Sequence, residues 1–196
     1  DLDDLMENVA IATIGDVMDL VDENRIFVKR GLRRLTNSTN LGINALKKAL
    51  GLDGKPIEVH HLSFRIGPSL NSTGRLESAK EGVELLLTDD PARAESLAQD
   101  MAKLNELRKE MTDRGVRAAT DWVRKDIRMI PTEDGVKEKK IGDDKVIVLY
   151  MPGIHESIAG LIASKLKEAF YRPTLVFTDA ENGHGLKGSG RSIETY

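Results

Sequence analysis

The chain has 196 residues, 29 Lys and Arg against 32 Asp and Glu for a formal net charge of -3, 40% hydrophobic residues and no cysteine, which suits one large or two small domains. Without thiols there is no disulfide scaffold, thiolate zinc site, iron–sulfur cluster or sulfur nucleophile, so chemistry falls to carboxylate, imidazole, hydroxyl and amine groups, with hard metals still open. Apolar runs such as Val146 to Tyr150 are far shorter than the ~20 residues of a membrane span, no basic and apolar leader is visible, and the acidic balance argues against blanket attraction to nucleic acid while allowing a local basic groove.

These features predict a cytoplasmic chain cut from something longer. At its start, Leu2, Leu5, Met6, Val9 and Ala12 recur at three- and four-residue intervals, predicting a helix as far as Gly15 and leaving Asp16 at a break. Helical spacing resumes from Glu23 to Leu35. The polar run 36–40 reads as a loop ending in an N-cap, followed by a helix from Leu41 to Leu50 that Gly51 closes. Leu52 to Pro56 is turn chemistry and a candidate hinge. Residues 57–78 show no clean period and predict an ordered, irregular segment. Asp90-Pro91 is a strong helix start, because aspartate caps and proline at the first position has no needed N–H to lose. The long helix it opens carries an apolar stripe at Leu97, Met101, Leu104, Leu107 and Met111, with Gly115 as a bend. That pattern favours a strut between two globular parts over a coiled-coil arm. Beyond Ile130, turn residues and the lysines 137, 139 and 140 precede a strand from Val146 to Tyr150. A helix through Ile158, Leu161, Ile162, Leu166 and Phe170 and a second strand from Thr174 to Thr178 complete a β-α-β unit with a parallel pair. The expected fold class is therefore α/β, with a second domain that reads as incomplete.

Four clusters could carry chemistry, each with an ordinary structural explanation beside it. Gly15 to Asp19 is an exposed acidic turn, or a place where Asp16 offers an oxygen to a hard dication. Phe64 to Arg75 is a structural turn, or a segment presenting Arg65, Asn71 and Arg75 to a phosphate. His155 caps or packs, or joins a helix's positive end in holding an anion. Lys187 to Ser192 is a flexible glycine-rich turn, or a loop wrapping a phosphate with Lys187, Ser189 and Arg191; it lacks the P-loop pattern. His60 and His61, read in an extended segment, would point to opposite faces and are structural.

In this order, the clusters resemble the DHH phosphoesterase superfamily, in particular its single-strand-specific DNA exonucleases. Residues 12–25 resemble the last metal-binding motif of the DHH domain. Phe64 to Leu76 is similar to the Phe-Arg-x-Gly-Pro signature, with Ser72 where alanine is usual. His155 to Gly160 and Lys187 to Ser192 are similar to two motifs of the DHH-associated domain. The resemblance implies that 1-88 is the C-terminal part of a DHH domain, 89-130 a connector helix and 131-196 the N-terminal part of the DHH-associated domain. It implies an exonuclease that uses Mn2+ or Mg2+ to degrade single-stranded DNA from 5′ to 3′ in recombination and repair. Companions would be a single-strand-binding protein and a helicase, with no membrane. Asp16 would be the catalytic metal ligand. Arg75, Ser189 and Arg191 would hold the terminal phosphate, with Arg65, Asn71, His155 and Lys187 lining a cleft between the domains. The superfamily's Asp-x-Asp and Asp-His-His motifs are not in the chain, and Asp1-Leu-Asp3 and Val59-His-His61 are in the wrong places to replace them. The chain alone is therefore expected to be inactive. A short-oligonucleotide or cyclic-dinucleotide phosphodiesterase is a second possibility, weakened because its Gly-Gly-Gly-His loop is replaced here by Lys-Gly-Ser-Gly-Arg-Ser. A non-catalytic replication scaffold with a degenerate DHH fold is a third, and the upstream motifs would decide it.

Overall fold

Apolar residues at helical spacing build α1 (Met6–Gly15) and α2 (Asp22–Thr36); α2 lies within one residue of the predicted bounds, while α1 ends as predicted but starts four residues later than Leu2, after a 3-10 turn at Leu2–Leu5. They belong to a computed structural model that describes the backbone of residues 2–76, 79–125, 127–132 and 135–194; the side chains of 2, 4, 75, 76, 79, 127–132, 136, 137 and 139 lie outside the description. The chain forms two compact units, 1–107 and 108–196.

In the first unit, α3 (Leu41–Ala49) starts where the Asn40 side chain accepts the Ile43 N–H at 2.9 Å, the N-cap anticipated from sequence. The run from Leu52 to Pro56 is no free hinge, because Leu52 is fully buried and Ile57 nearly so, which anchors both ends in the core. Lys47 is buried too. Its ammonium donates to the Leu35 and Thr36 carbonyls at 2.8 and 3.0 Å, closing the end of α2. Burial pushes the Lys47 pKa down, against the pull of Asp53 and Glu7.

The segment expected to be irregular is helical. It comprises α4 (Val59–His61), a π-helical turn at Leu62–Ile66 and α5 (Gly67–Leu76). Gly67 and Pro68 read as breakers in sequence, yet proline in a helix's first turn gives up no needed N–H, and the wider π turn carries the chain into α5 with Leu62 and Ile66 buried. Ser72 is also buried, and its hydroxyl donates to the Ser69 carbonyl at 2.6 Å and the Met101 carbonyl at 3.3 Å. α6 (Ala79–Leu87) follows.

The helix α7 (Pro91–Lys125) opens as predicted, with the Asp90 carboxylate accepting the Ala92 N–H at 2.9 Å. Ala94, Leu97, Ala98 and Met101 enter the first core, and Ala119 and Val123 the second. The predicted apolar stripe is broken at Leu107, which is 44% exposed. Gly115 does not interrupt the helix. A Cβ there would lie 2.5 Å from Ile162 Cδ1, so its role is close packing.

The second unit contains a feature missed in the sequence, an antiparallel hairpin of β1 (Ile127–Thr132) and β2 (Gly135–Lys140). A three-stranded sheet follows in the order β3-β4-β5. β3 (Ile147–Tyr150) and β4 (Thr174–Asp179) are parallel and joined through α8 (Ala159–Phe170), as the β-α-β reading required. The third strand corrects the glycine-loop expectation, because β5 (Leu186–Arg191) pairs antiparallel with β4. Ile147, Leu149, Ile162, Leu166 and Val176 fill the core of this α/β unit. Among the described residues, no helix is long and apolar enough to cross a membrane.

Candidate functional site

In the first unit, Asp16 lies immediately past α1, exposed, with its backbone N–H donating to the Ala12 carbonyl at 2.9 Å. Val17 follows at φ 55 and is 87% exposed. A β-branched residue held in the left-handed region stores strain of the kind found where a turn must aim a functional group. Two backbone bonds pin this turn, from the Val17 N–H to the Ile14 carbonyl at 3.1 Å and from the Met18 N–H to the Thr13 carbonyl at 3.0 Å. Gly15 and Val17, which flank Asp16, line a cavity of about 300 Å³ together with Phe64, Pro68 and Asn71. Asn71 is thus brought beside the aspartate's turn.

Arg65 is not. Its guanidinium donates to the Leu50 carbonyl and closes the end of α3. Arg75 falls in the last turn of α5, and its side chain lies outside the described residues. His60 and His61 occupy a helical turn rather than the extended segment expected. His61 Nδ1 accepts the Glu58 N–H at 3.1 Å in a capping box, and burial lowers the His61 pKa. Among the described residues, no three His, Cys, Asp or Glu side chains gather into a metal site, so Asp16 is a single carboxylate rather than a dication cage.

In the second unit, His155 is the cap of the 3-10 turn Glu156–Ile158, its Nδ1 accepting the Ser157 N–H at 3.2 Å. Its Nε2 lies 2.7 Å from Glu181 Oε1. Lys187 is 2.5 Å from Glu156 Oε1. That hydrogen bond holds the Glu156 carboxyl below the usual range and the Lys187 ammonium above it. Both sequence-selected residues are therefore engaged by Glu156 or Glu181, acids that the sequence reading did not single out.

Alternation along β5 sends Lys187, Ser189 and Arg191 to one face and Gly188 and Gly190 to the other. The glycine face lies against β4's side chains: a Cβ at Gly188 would sit 2.4 Å from Phe177 Cδ1. The opposite face meets the first turn of α8. A Cβ on Gly160 would lie 2.9 Å from both Ser189 Oγ and Arg191 Nη2. Arg191 Nη1 also donates to Ser189 Oγ at 3.0 Å. A hydroxyl and a guanidinium are thus stacked over the N-terminal turn of a helix, a grouping of donors and positive field suited to a phosphate oxygen. Gly160 was legible as part of a motif but not as the gap that admits these two side chains.

No family model matches the chain. It is 36% identical over 192 residues to the single-stranded-DNA-specific exonuclease RecJ of Haemophilus influenzae, covering 97% of this chain and 32% of the relative. It is 35% identical over 194 residues to RecJ of Escherichia coli, covering 98% and 32%. Among solved structures, it is similar to Thermus thermophilus RecJ in complex with Mg2+, with a TM-score of 0.78 and 30% identity, over 98% of this chain and 27% of that one. A manganese-bound exonuclease RecJ gives a TM-score of 0.75 at 30% identity, over 97% and 43%. The chain thus spans about a third of the length of these curated relatives.

Proposed function

We propose, from the premise that this chain is related to the RecJ exonucleases along nearly its whole length, that it supplies the terminal-phosphate grip of a single-stranded-DNA exonuclease. The observation that carries this reading is the seating of Ser189 and Arg191 over Gly160 at the start of α8. The longer protein is read as a cytoplasmic, Mn2+- or Mg2+-dependent enzyme that degrades single strands from 5′ to 3′ in recombination and repair, beside a single-strand-binding protein and a helicase. Asp16 would offer one carboxylate oxygen to such a dication, with the remaining ligands supplied from outside these residues. On this reading the isolated chain binds but does not cleave. Ser189 and Arg191 would hold the terminal phosphate, Arg75 is a further candidate phosphate ligand, and Asn71 would act beside Asp16. His155 and Lys187, committed to Glu181 and Glu156, would support the grip by fixing its surroundings, and Arg65, committed to Leu50, would have its role within the first unit.

The test compares binding of this chain to 5′-phosphorylated and 5′-hydroxyl single strands by fluorescence anisotropy. The phosphorylated strand is expected to bind about 10-fold more tightly, as losing a charge-assisted hydrogen bond implies. Gly160→Ala should remove that preference without lowering the melting temperature, because the atoms nearest its new methyl are the movable ends of Ser189 and Arg191. Equal affinity for both strands in the unaltered chain would reject the assignment.

A further inference from the structure

We infer that Glu156 is a positioning residue of the phosphate grip: its carboxylate holds Lys187 away from the phosphates of the strand and fixes β5 against the first turn of α8. This rests on the phosphate-grip reading above. Glu156 opens the 3-10 turn that leads into α8, and its two carboxylate oxygens serve different segments. Oε1 takes the Lys187 ammonium of β5 at 2.5 Å, and Oε2 accepts the Glu181 N–H, just beyond β4, at 3.2 Å. Glu181 is engaged in turn by His155 Nε2 at 2.7 Å. One side chain thus joins the approach to α8, the β4–β5 connection and β5 itself.

The strand has need of such a tie. It lies at the edge of its sheet, with β4 on one side only, and Gly188 and Gly190 offer no side chain with which to pin it. Backbone pairing with β4 sets its register, but the tilt of its cationic face toward α8 depends on side-chain contacts. Residues that follow one another on a strand face are about 7 Å apart, so anchoring Lys187 carries Ser189 and Arg191 in sequence toward Gly160. An exposed ion pair by itself contributes little. This one is asymmetric: the Glu156 side chain is 19% exposed and also bonded to a backbone donor, whereas that of Lys187 is 62% exposed. A carboxylate so fixed withholds an ammonium that would otherwise meet any phosphate along a strand, and the terminal phosphate is left to Ser189 and Arg191.

The whole chain and the variants Glu156→Gln, Glu156→Ala and Lys187→Ala would be titrated by fluorescence anisotropy with 3′-labelled single strands bearing a 5′-phosphate or a 5′-hydroxyl, at several salt concentrations. In each variant the preference for the phosphorylated strand is expected to fall from about 10-fold to about 2-fold. The slope of log affinity against log salt provides a readout that a merely structural role would not move. Freeing Lys187 adds one phosphate contact, so both Glu156 variants should steepen that slope by about 0.7. Lys187→Ala should leave it as in the unaltered chain, because a withheld ammonium releases no counterions. Glu156→Gln keeps an oxygen for the Glu181 N–H, so it decides the matter even where Glu156→Ala does not fold. The inference is overturned if Glu156→Gln retains the full preference or the original slope. It is overturned equally if Lys187→Ala flattens the slope, which would make Lys187 a direct phosphate ligand. Equal binding of the two strands by the unaltered chain is a different result: it removes the grip, and the hold of Glu156 on Lys187 then stands or falls on the slopes.

Discussion

Asp16→Ala in the longer protein is expected to lower metal-dependent hydrolysis of single-stranded DNA by at least about 100-fold, since loss of mere outer-shell partners already costs 10- to 100-fold. The same change should leave the thermal transition in place. Asp16 is exposed, its part in closing α1 is made by its backbone N–H, and alanine provides that N–H equally well at a φ of -89. The strain beside it, in Val17, also remains. An exonuclease assay across a Mn2+ titration, paired with a melting curve, separates the two effects. Activity retained within a few-fold at every metal concentration would remove Asp16 from the ligand set.

The second large effect is on folding. Gly42→Ala places a methyl carbon 1.8 Å from the Leu85 carbonyl oxygen, and the obstacle is backbone, which cannot swing aside as a side chain can. α3 and α6 would have to part, stretching the 2.9 Å bond from the Asn40 amide to the Leu86 carbonyl at the same junction. Overpacking of this kind costs about 1–3 kcal/mol or more. The sign makes the test sharp, because in an unpacked helix glycine to alanine is stabilising by about 1 kcal/mol. Urea denaturation should therefore show a lower midpoint, and a raised one would mean that the close approach does not exist.

Much of the helical architecture was legible because burial imposes a period: α1, α2 and α3 follow their apolar spacing, and α7 announces itself through Asp90-Pro91. The π turn and α5 were not, since Gly67 and Pro68 mimic a loop until Leu62 and Ile66 are seen in the core. β2 and β5 escaped for a different reason. Gly-Val-Lys-Glu-Lys-Lys and Leu-Lys-Gly-Ser-Gly-Arg have no apolar alternation, and their strand character comes from partners elsewhere in the chain. The site divides similarly. Residue type made Asp16, Asn71, Ser189 and Arg191 candidates, and the family resemblance supplied the roles proposed for them. The local duties of Arg65 and Lys187 depend on Leu50 and Glu156, 15 and 31 residues away, and no local pattern encodes such a meeting.

The two-residue rhythm of β5 has a consequence for how this stretch can change over time. Swapping one amino acid for another perturbs a single contact, whereas adding or removing one between Lys187 and Arg191 reverses parity downstream and delivers the guanidinium to the wrong side of the sheet. Related sequences should accordingly differ here by replacement, and an alignment gap inside these five positions should coincide with loss of the grip.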